Sequence, residues 1–154
     1  MAQERLITQI DYARVGKITP QMEAVAAKEH KTPEEIRVGV AKGCIAIPAN
    51  IHHAALSPEG VGEGMRTKVN VNLGISGDLM NAEMELEKVR TAIELGAEGI
   101  MDLSNHGKTH DFRKHLIDMS PAMIGTVPMY DAIGYLEKPL IGITAQDFLD
   151  VVRA

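Results

Sequence analysis

The order of apolar and polar positions changes along the chain. Up to about residue 45, short amphipathic stretches with clear start signals predict helices. Thr19 and Thr32 each place a capping hydroxyl directly before a proline, which favours the start of a helix. Glu35 completes a capping box with Thr32. Residues 44–51 predict a short strand or an extended lead-in, and the glycine-rich residues 57–65 predict a loop.

From residue 68 onward, strand patterns alternate with helix patterns. The predicted strands are rich in β-branched and other apolar residues and occupy 68–73, 99–103 and 123–128. Strands separated by single helices favour parallel βαβ units. We therefore expect an α/β fold: a helical N-terminal segment over 1–45, then the first three βα units of a (β/α)8 barrel over 46–154.

Apolar residues at helical spacing follow each predicted strand. The first helix is predicted over 81–95, and the second is capped at Thr109. The third begins after a longer connection at Thr144, where Asp147 takes the place of the capping-box acid. The residues predicted to face inward are Leu86, Val89 and Ile93 in the first helix, Phe112, Leu116 and Met119 in the second, and Phe148, Val151 and Val152 in the third.

Three parallel strands neither close a barrel nor make a conventional doubly wound sheet. The third helix reaches Ala154 without a cap, a glycine or a polar tail. The pattern therefore predicts either a fragment of a longer protein or a short protein that associates with something to cover its sheet.

Composition narrows the classes of partner. The 154 residues carry 16 Lys+Arg against 21 Asp+Glu, and aromatic residues make up only 3%. A protein without a basic stripe or stacking aromatics is unsuited to bind nucleic acid. No stretch approaches the roughly 20 apolar residues of a membrane helix, and the N-terminus lacks the order of a signal peptide. Cys44 is the single cysteine, in an apolar run that predicts a buried thiol, so we expect a cytoplasmic protein.

Three residues at the predicted strand ends are candidates for a binding site. Asn72, Met101 and Tyr130 follow one another at equal intervals of 29 residues. Because parallel strands of a barrel present their carboxyl ends on one face, equal spacing places the three side chains at equivalent positions around an active-site rim.

Packing alone also explains two of these three residues. A methionine in an apolar strand is commonly core, and a tyrosine after a proline is commonly half-buried packing. Asn72 differs because an amide in a valine-rich strand needs hydrogen-bond partners, and Asn70 lies on the same face of the strand.

The histidines invite a metal hypothesis that their spacing weakens. His110 and His115 are five residues apart and do not share a helix face well, so solvated histidines are the alternative interpretation. The other members of the set are His52, His53 and His106.

Further polar residues follow the first two strands and Tyr130. The loop 74–77 could turn its amides toward a phosphate, although it lacks the complete dinucleotide fingerprint. Asp102, Ser104 and Asp131 either support the contact residues from behind or are solvated loop residues. No serine, histidine and aspartate arrangement stands out, so no catalytic residue is predicted.

Five stretches of the chain are similar, in the same order, to the N-terminal part of the phosphomethylpyrimidine synthase family. Together they span nearly the whole chain: TQIDYARVGKITP at 8–20, IPANIHH at 47–53, KVNVNLG at 68–74, IMDLS at 100–104 and IGTVPMY at 124–130.

This resemblance implies a radical S-adenosylmethionine lyase of thiamine biosynthesis. Members of the family rearrange aminoimidazole ribotide into hydroxymethylpyrimidine phosphate within a (β/α)8 barrel. By matching motifs, Asn72, Met101 and Tyr130 correspond to substrate contacts. Their chemistry suits an imidazole ribotide: an amide can hydrogen-bond it, a thioether can pack on its ring, and a phenol can do both.

The resemblance also implies a 4Fe-4S cluster, S-adenosylmethionine, zinc and a homodimer for the complete enzyme. The family's cluster motif, Cys-x-x-Cys-x-x-x-x-Cys, has no counterpart here, because Cys44 is the only cysteine. The zinc-binding histidines of the family also belong to the later barrel, so no metal ligand is assigned in this chain. His52 replaces an asparagine of the family pattern, which leaves the roles of His52 and His53 open.

Two alternatives stay open at this point. The related 5-hydroxybenzimidazole synthase of cobamide biosynthesis acts on the same substrate, and residues 73–78 and 108–114 resemble both groups. The other alternative is a short, non-catalytic binding or interaction protein that keeps the first barrel units.

Overall fold

The structure, a computed structural model, describes residues 7–78, 80–107, 109–136 and 138–153. The chain divides into two compact units, Met1–Lys68 (unit 1) and Val69–Ala154 (unit 2). Within the described ranges, every helix is too short or too polar to cross a bilayer.

Unit 1 is built from three short helices that begin at threonine caps. The helices are α1 (Gln9–Arg14), α2 (Pro20–Lys28) and α3 (Pro33–Ala41). The caps predicted at Thr19 and Thr32 are confirmed, the second as a full capping box. A third cap, formed by Thr8 with Asp11, begins α1 and escaped the sequence prediction.

A small strand pair completes unit 1. The strand β1 (Ile45–Ala46) pairs antiparallel with β2 (Val61–Gly62), so the predicted loop 57–65 contains a two-residue strand. Ile45 and Ile47 join the apolar core of the helices. Residues 45–68 therefore belong to the same compact unit as the helical segment. The domain boundary that the sequence predicts between residues 45 and 46 stays a prediction.

The prediction of a buried Cys44 is wrong, because its side chain is exposed. Alternate residues of an extended segment point to opposite sides. Ile45 and Ile47 point into the core, and Cys44 and Ala46 therefore face solvent.

Unit 2 contains a parallel three-stranded sheet, which confirms the α/β class. Its strands are β3 (Asn70–Leu73), β4 (Gly99–Asp102) and β5 (Met123–Thr126), in that spatial order. They are followed respectively by α4 (Ala82–Glu94), α5 (His110–Met119) and α6 (Pro128–Leu136); a 3-10 helix (Leu140–Gly142) and α7 (Ala145–Arg153) come after α6. Closure of this sheet into a barrel stays a prediction.

Two helices cover one face of the sheet. Leu73 and Ile100 pack against Val89 of α4 and against Phe112 and Leu116 of α5 in an apolar core. The remaining predicted stripe residues of α4 and α5 are partly buried against this core, as predicted: Leu86, Ile93 and Met119.

The prediction for the third βα unit is wrong in two respects. The helix after β5 begins at once at Pro128 rather than at Thr144, because a proline after a strand also suits the first position of a helix. The capping box of Thr144 and Asp147 is confirmed, but it belongs to a second helix, α7. No described residue of α7 is buried, so Phe148 and Val152 do not face a core.

Thr109 begins α5 without acting as a side-chain cap. Its backbone is already in the helical region, and its hydroxyl makes no capping hydrogen bond. The hydroxyl hydrogen-bonds Asp131 instead, at 3.2 Å. Tertiary contact with α6 has therefore replaced the local capping contact that the sequence predicted.

Candidate functional site at the carboxyl ends of the strands

Two asparagines lie on the face of the sheet opposite the core. Successive residues of a strand point to opposite faces, so Leu73 enters the core while Asn70 and Asn72 face the other way, and both are exposed. Asn70 Nδ2 donates a hydrogen bond to Asn72 Oδ1 at 2.9 Å. The predicted same-face relation is confirmed, and among the described residues no acceptor engages Asn72 Nδ2.

Met101 lies beside Asn72 on the neighbouring strand. The two residues are Cα partners in the parallel ladder of β3 and β4, which confirms that their 29-residue spacing marks equivalent positions. The Met101 side chain extends over Gly125, its partner on β5. A Cβ atom on Gly125 would lie 2.8 Å from Met101 Cε and 2.9 Å from Sδ, so the glycine makes room for the thioether.

Tyr130 is not at an equivalent strand position, contrary to the spacing prediction. The residue of β5 in register with Met101 is Gly125, and Tyr130 lies in the first turn of α6. Its backbone N–H donates to Val127 O at 2.9 Å, and its side chain is 39% exposed. The equal interval of 29 residues is therefore coincidental for this third position.

One guanidinium connects the end of β4 with the start of α6. Arg113 Nε and Nη2 donate to Asp102 Oδ2 at 3.1 and 3.0 Å. Arg113 Nη2 also donates to Asp131 Oδ1 at 2.9 Å, and Nη1 lies 2.8 Å from Asp131 Oδ2. The Asp102 side chain has no exposed surface, and that of Asp131 is 9% exposed. Two of the three polar positions that the sequence left undecided are therefore enclosed ion-pair partners.

The charge of Arg113 is stabilised by its partners. Burial disfavours the charged guanidinium, but the hydrogen bonds and charges of Asp131 and Asp102 outweigh that effect and raise the pKa of Arg113. Buried charge pairs of this kind depend on complete hydrogen bonding. The two carboxylates therefore favour the charged form of Arg113.

Ser104 ties the end of β4 to the loop after β3. Its Oγ donates to Asp102 Oδ1 at 2.5 Å and accepts from Ile75 N–H at 2.9 Å. Asp102 Oδ1 also accepts from Ser104 N–H at 2.9 Å. Ser104 is buried, which resolves the third undecided position. The carboxylate of Asp102 is thus engaged on both oxygens.

The loop 74–77 is not free to cradle a phosphate with its first two amides. Gly74 N–H donates to Glu85 Oε2 at 2.9 Å, and Ile75 N–H is bound by Ser104. Glu85 is 1% exposed and also accepts from Lys88 Nζ at 2.5 Å. A buried acid on α4 and a buried serine after β4 have therefore each taken one of the amides that a phosphate would need.

The histidines form no cluster in the part of the chain that the structure describes. Within it, no group of three or more His, Cys, Asp or Glu side chains is placed to hold a metal ion. His53 is buried, which corrects the expectation of a solvated side chain, whereas His52 is exposed. His52 N–H donates to Asn50 Oδ1 at 2.9 Å, so this asparagine shapes the turn in unit 1.

Glu85 escaped the sequence analysis and Asp102 was left undecided, although each left a signal. Glu85 stands four residues before Val89 in the buried stripe of α4, an unusual position for an acid. Asp102 lies two residues after Ile100, shares its face and therefore points to the helix side of its strand. A buried acid on that side requires a cation, and Arg113 on α5 supplies it.

The ends of β3 and β4 carry one polar and one apolar contact group. An exposed amide donor and a thioether lie side by side on the open face of the sheet, and behind them a fixed polar network holds the strand ends. The described residues contain no paired nucleophile and base at this edge. This edge therefore offers one hydrogen-bond donor and one thioether surface to a ligand.

Comparison with known proteins agrees with the motifs. The sequence profile of the radical SAM ThiC family matches residues 8–154. Phosphomethylpyrimidine synthase from Alkaliphilus metalliredigens (strain QYMF) is 63% identical over 146 residues, which make up 95% of this chain and 33% of that protein. The proteins of the same name from Clostridioides difficile (strain 630) and Clostridium tetani (strain Massachusetts / E88) are 59% and 60% identical over the same length.

The chain thus spans about a third of the length of these curated relatives. The match extends through both units and includes Asn72, Met101 and Tyr130. The chain belongs to the radical SAM ThiC family.

Proposed function

We propose that this chain is the N-terminal portion of a phosphomethylpyrimidine synthase, a lyase that converts aminoimidazole ribotide into hydroxymethylpyrimidine phosphate in thiamine biosynthesis. Identity of 63% over 95% of the chain supports the assignment. The observation that carries it is the pairing of Asn72 with Met101 at the carboxyl ends of adjacent strands, on the face left open by the helices.

Asn72 is the hydrogen-bonding contact for the ribotide. Asn70 Nδ2 occupies Asn72 Oδ1 and so orients the amide, which leaves Asn72 Nδ2 as a donor. A ring nitrogen or a ribose oxygen of the ribotide is a suitable acceptor. Met101 packs its thioether on the imidazole ring, and Tyr130 adds a phenol from the start of α6.

The remainder of the fold follows from the same proposal. β3 and β5 are the edge strands of the parallel sheet, and each has an unpaired edge among the described residues. Pairing of these edges with further βα units closes a (β/α)8 barrel, with 46–154 as its first part and the open sheet face as its interior. Such closure also covers the exposed apolar side chains of α7.

Membership of a radical SAM family implies S-adenosylmethionine and an iron-sulfur cluster for the whole enzyme. The residues of this chain do not fit such a cluster, because they include one cysteine, Cys44, whose side chain is exposed. The described residues likewise offer no zinc site. Cluster, zinc and radical chemistry therefore belong to residues beyond these 154, and this chain contributes substrate contacts.

The cellular setting is part of the proposal. A lone thiol and a cluster-dependent reaction suit the reducing cytoplasm.

The complete enzyme acts as a homodimer on a small molecule, without nucleic acid or membrane as a partner. Sedimentation of the full-length protein tests the dimer, since a monomer at working concentration contradicts it.

Product analysis tests the proposed activity. The full-length protein, purified without oxygen and reconstituted with iron and sulfide, is given aminoimidazole ribotide, S-adenosylmethionine and a low-potential reductant such as dithionite, which supplies the electron that the cluster needs. We expect hydroxymethylpyrimidine phosphate by mass spectrometry. Formation of 5-hydroxybenzimidazole instead would assign the related cobamide enzyme. Binding of the ribotide without any product, in a protein that holds its cluster, would favour the non-catalytic alternative.

A further inference from the structure

Arg113 joins two segments that each carry a proposed substrate contact. Asp102 directly follows Met101 on β4, and Asp131 directly follows Tyr130 in α6. The guanidinium donates to Asp102 Oδ2 at 3.0 and 3.1 Å, and its two terminal nitrogens lie 2.9 and 2.8 Å from the two oxygens of Asp131. The fork of an arginine thus fixes both carboxylates, and with them the backbone on which the contacts stand.

Arg113 lies on the helix side of the sheet and not on the face proposed to bind the ribotide. Asp102 points to the helix side of the sheet, because it alternates with Met101, whose side chain lies over Gly125 on the opposite face. Arg113 therefore acts on Met101 from behind. It touches no atom that the ribotide is expected to reach.

The same network extends to the loop that follows Asn72. Asp102 Oδ1 accepts from Ser104 Oγ at 2.5 Å, and Ser104 Oγ accepts from Ile75 N–H at 2.9 Å. A continuous hydrogen-bonded path thus runs from the end of β3 through Asp102 and Arg113 to Asp131. This path therefore connects the segments at the carboxyl ends of β3, β4 and β5.

We propose that Arg113 is a positioning residue that sets the separation of Met101 and Tyr130 across the ribotide site. This inference rests on the proposed function. It follows from geometry: a single half-buried guanidinium is hydrogen-bonded to the residues adjacent to both contacts. A lysine keeps the charge but has no planar fork, so it cannot hold two carboxylates in the same arrangement.

The test measures ribotide binding to the full-length protein by calorimetry, without S-adenosylmethionine. Arg113→Lys is compared with Arg90→Lys, a matched change at an exposed arginine of α4. We expect Arg113→Lys to weaken ribotide affinity about tenfold and Arg90→Lys to stay within about twofold of wild type. Asp131→Asn, an isosteric change that removes one arm of the network, gives a second, independent variant with the same expected direction.

A double-mutant cycle separates positioning from a merely structural role. Tyr130→Phe removes the phenol oxygen and should weaken affinity several-fold, on the order of 3- to 10-fold, in the wild-type background. In the Arg113→Lys background it should change affinity less than about twofold, because the ring has already lost its placement. Equal effects of Tyr130→Phe in both backgrounds overturn the proposal. Unchanged affinity in Arg113→Lys or Asp131→Asn, with only a lower melting temperature, also overturns it.

The outcome for the wild-type protein distinguishes this inference from the function on which it rests. A wild-type protein that fails to bind the ribotide contradicts the proposed function, and the inference falls with it. Tight wild-type binding together with wild-type affinity in either Arg113→Lys or Asp131→Asn contradicts the positioning role of Arg113 and leaves the proposed function standing.

Discussion

Asn72 and Met101 are Cα partners in the parallel ladder of β3 and β4, and their side chains share the open face of the sheet. In parallel strands, residues in register keep this relation whatever loops connect them. In the proposed site this pair is the floor under the ligand, and its neighbours in the sheet decide how that floor is shaped.

Gly125→Ala should disturb this floor without unfolding it. The added Cβ would approach Met101 Cε to 2.8 Å, and the flexible thioether must turn away. We expect ribotide affinity of the full-length protein to fall on the order of tenfold by calorimetry. Gly142→Ala is the control, since its Cβ would meet nothing closer than 3.7 Å. Equal affinity in both variants would show that Met101 does not contact the ligand.

Gly74→Ala should destabilise the junction between β3 and β4. Gly74 has φ +147°, and a Cβ there would lie 2.5 Å from the backbone nitrogen of Ser104. Backbone must shift to relieve this contact, so we expect a loss of about 1–3 kcal/mol in the free energy of unfolding. Hydrogen exchange should also speed up at the Ile75 amide, which Ser104 Oγ holds. If the Ile75 amide is protected from exchange as well in Gly74→Ala as in Gly142→Ala, the predicted weakening of this junction is wrong.

The start of α7 should lose stability in acid. The hydrogen bond from Lys138, with those from Thr144, lowers the pKa of Asp147 from 3.8 to about 2. Because the folded pKa lies below the unfolded one, this carboxylate stabilises the fold above about pH 4, and the contribution is lost as the pH falls toward 2.

The difference in melting temperature between wild type and Asp147→Asn measures that contribution. We expect a clear difference near pH 6 that narrows near pH 3. Asp118→Asn, which makes the same charge change at an exposed position of α5 outside the capping box, is the matched control. A difference that is constant with pH would mean that the capping box does not titrate as described.

Local chemistry made part of this fold predictable. The caps at Thr19, Thr32 and Thr144 are decided by residues within three positions, so the sequence alone identifies them. The register of Asn72 with Met101 was also predictable, because one βα unit separates them.

Tertiary partners decided what the sequence could not. Pro128 suits both the end of a strand and the start of a helix, and only the fold shows that α6 begins there. Thr109 gives its hydroxyl to Asp131 rather than to its own helix. Glu85 and Asp102 are buried because partners from other turns or elements satisfy them, which spacing does not reveal.

The exposed apolar stripe of α7 has a similar cause. The capping box of α7 and the helical spacing of its apolar residues depend on nearby sequence and were predicted. Burial of those residues depends on another part of the protein packing against them. Among the described residues, α7 packs on α6 and leaves two of the three predicted stripe residues, Phe148 and Val152, 37% and 57% exposed. Sequence periodicity therefore identified the face but not what covers it.

Titration of the full-length protein with aminoimidazole ribotide, for wild type and Asn72→Ala, tests the proposed site. We expect wild-type binding, a loss of about 0.5–1.5 kcal/mol in Asn72→Ala through the missing amide, and an unchanged cluster absorption spectrum. Thr91→Ala, on the solvent side of α4, should bind as wild type does. Equal ribotide affinity in wild type and Asn72→Ala would contradict the assignment of this strand end to the substrate site.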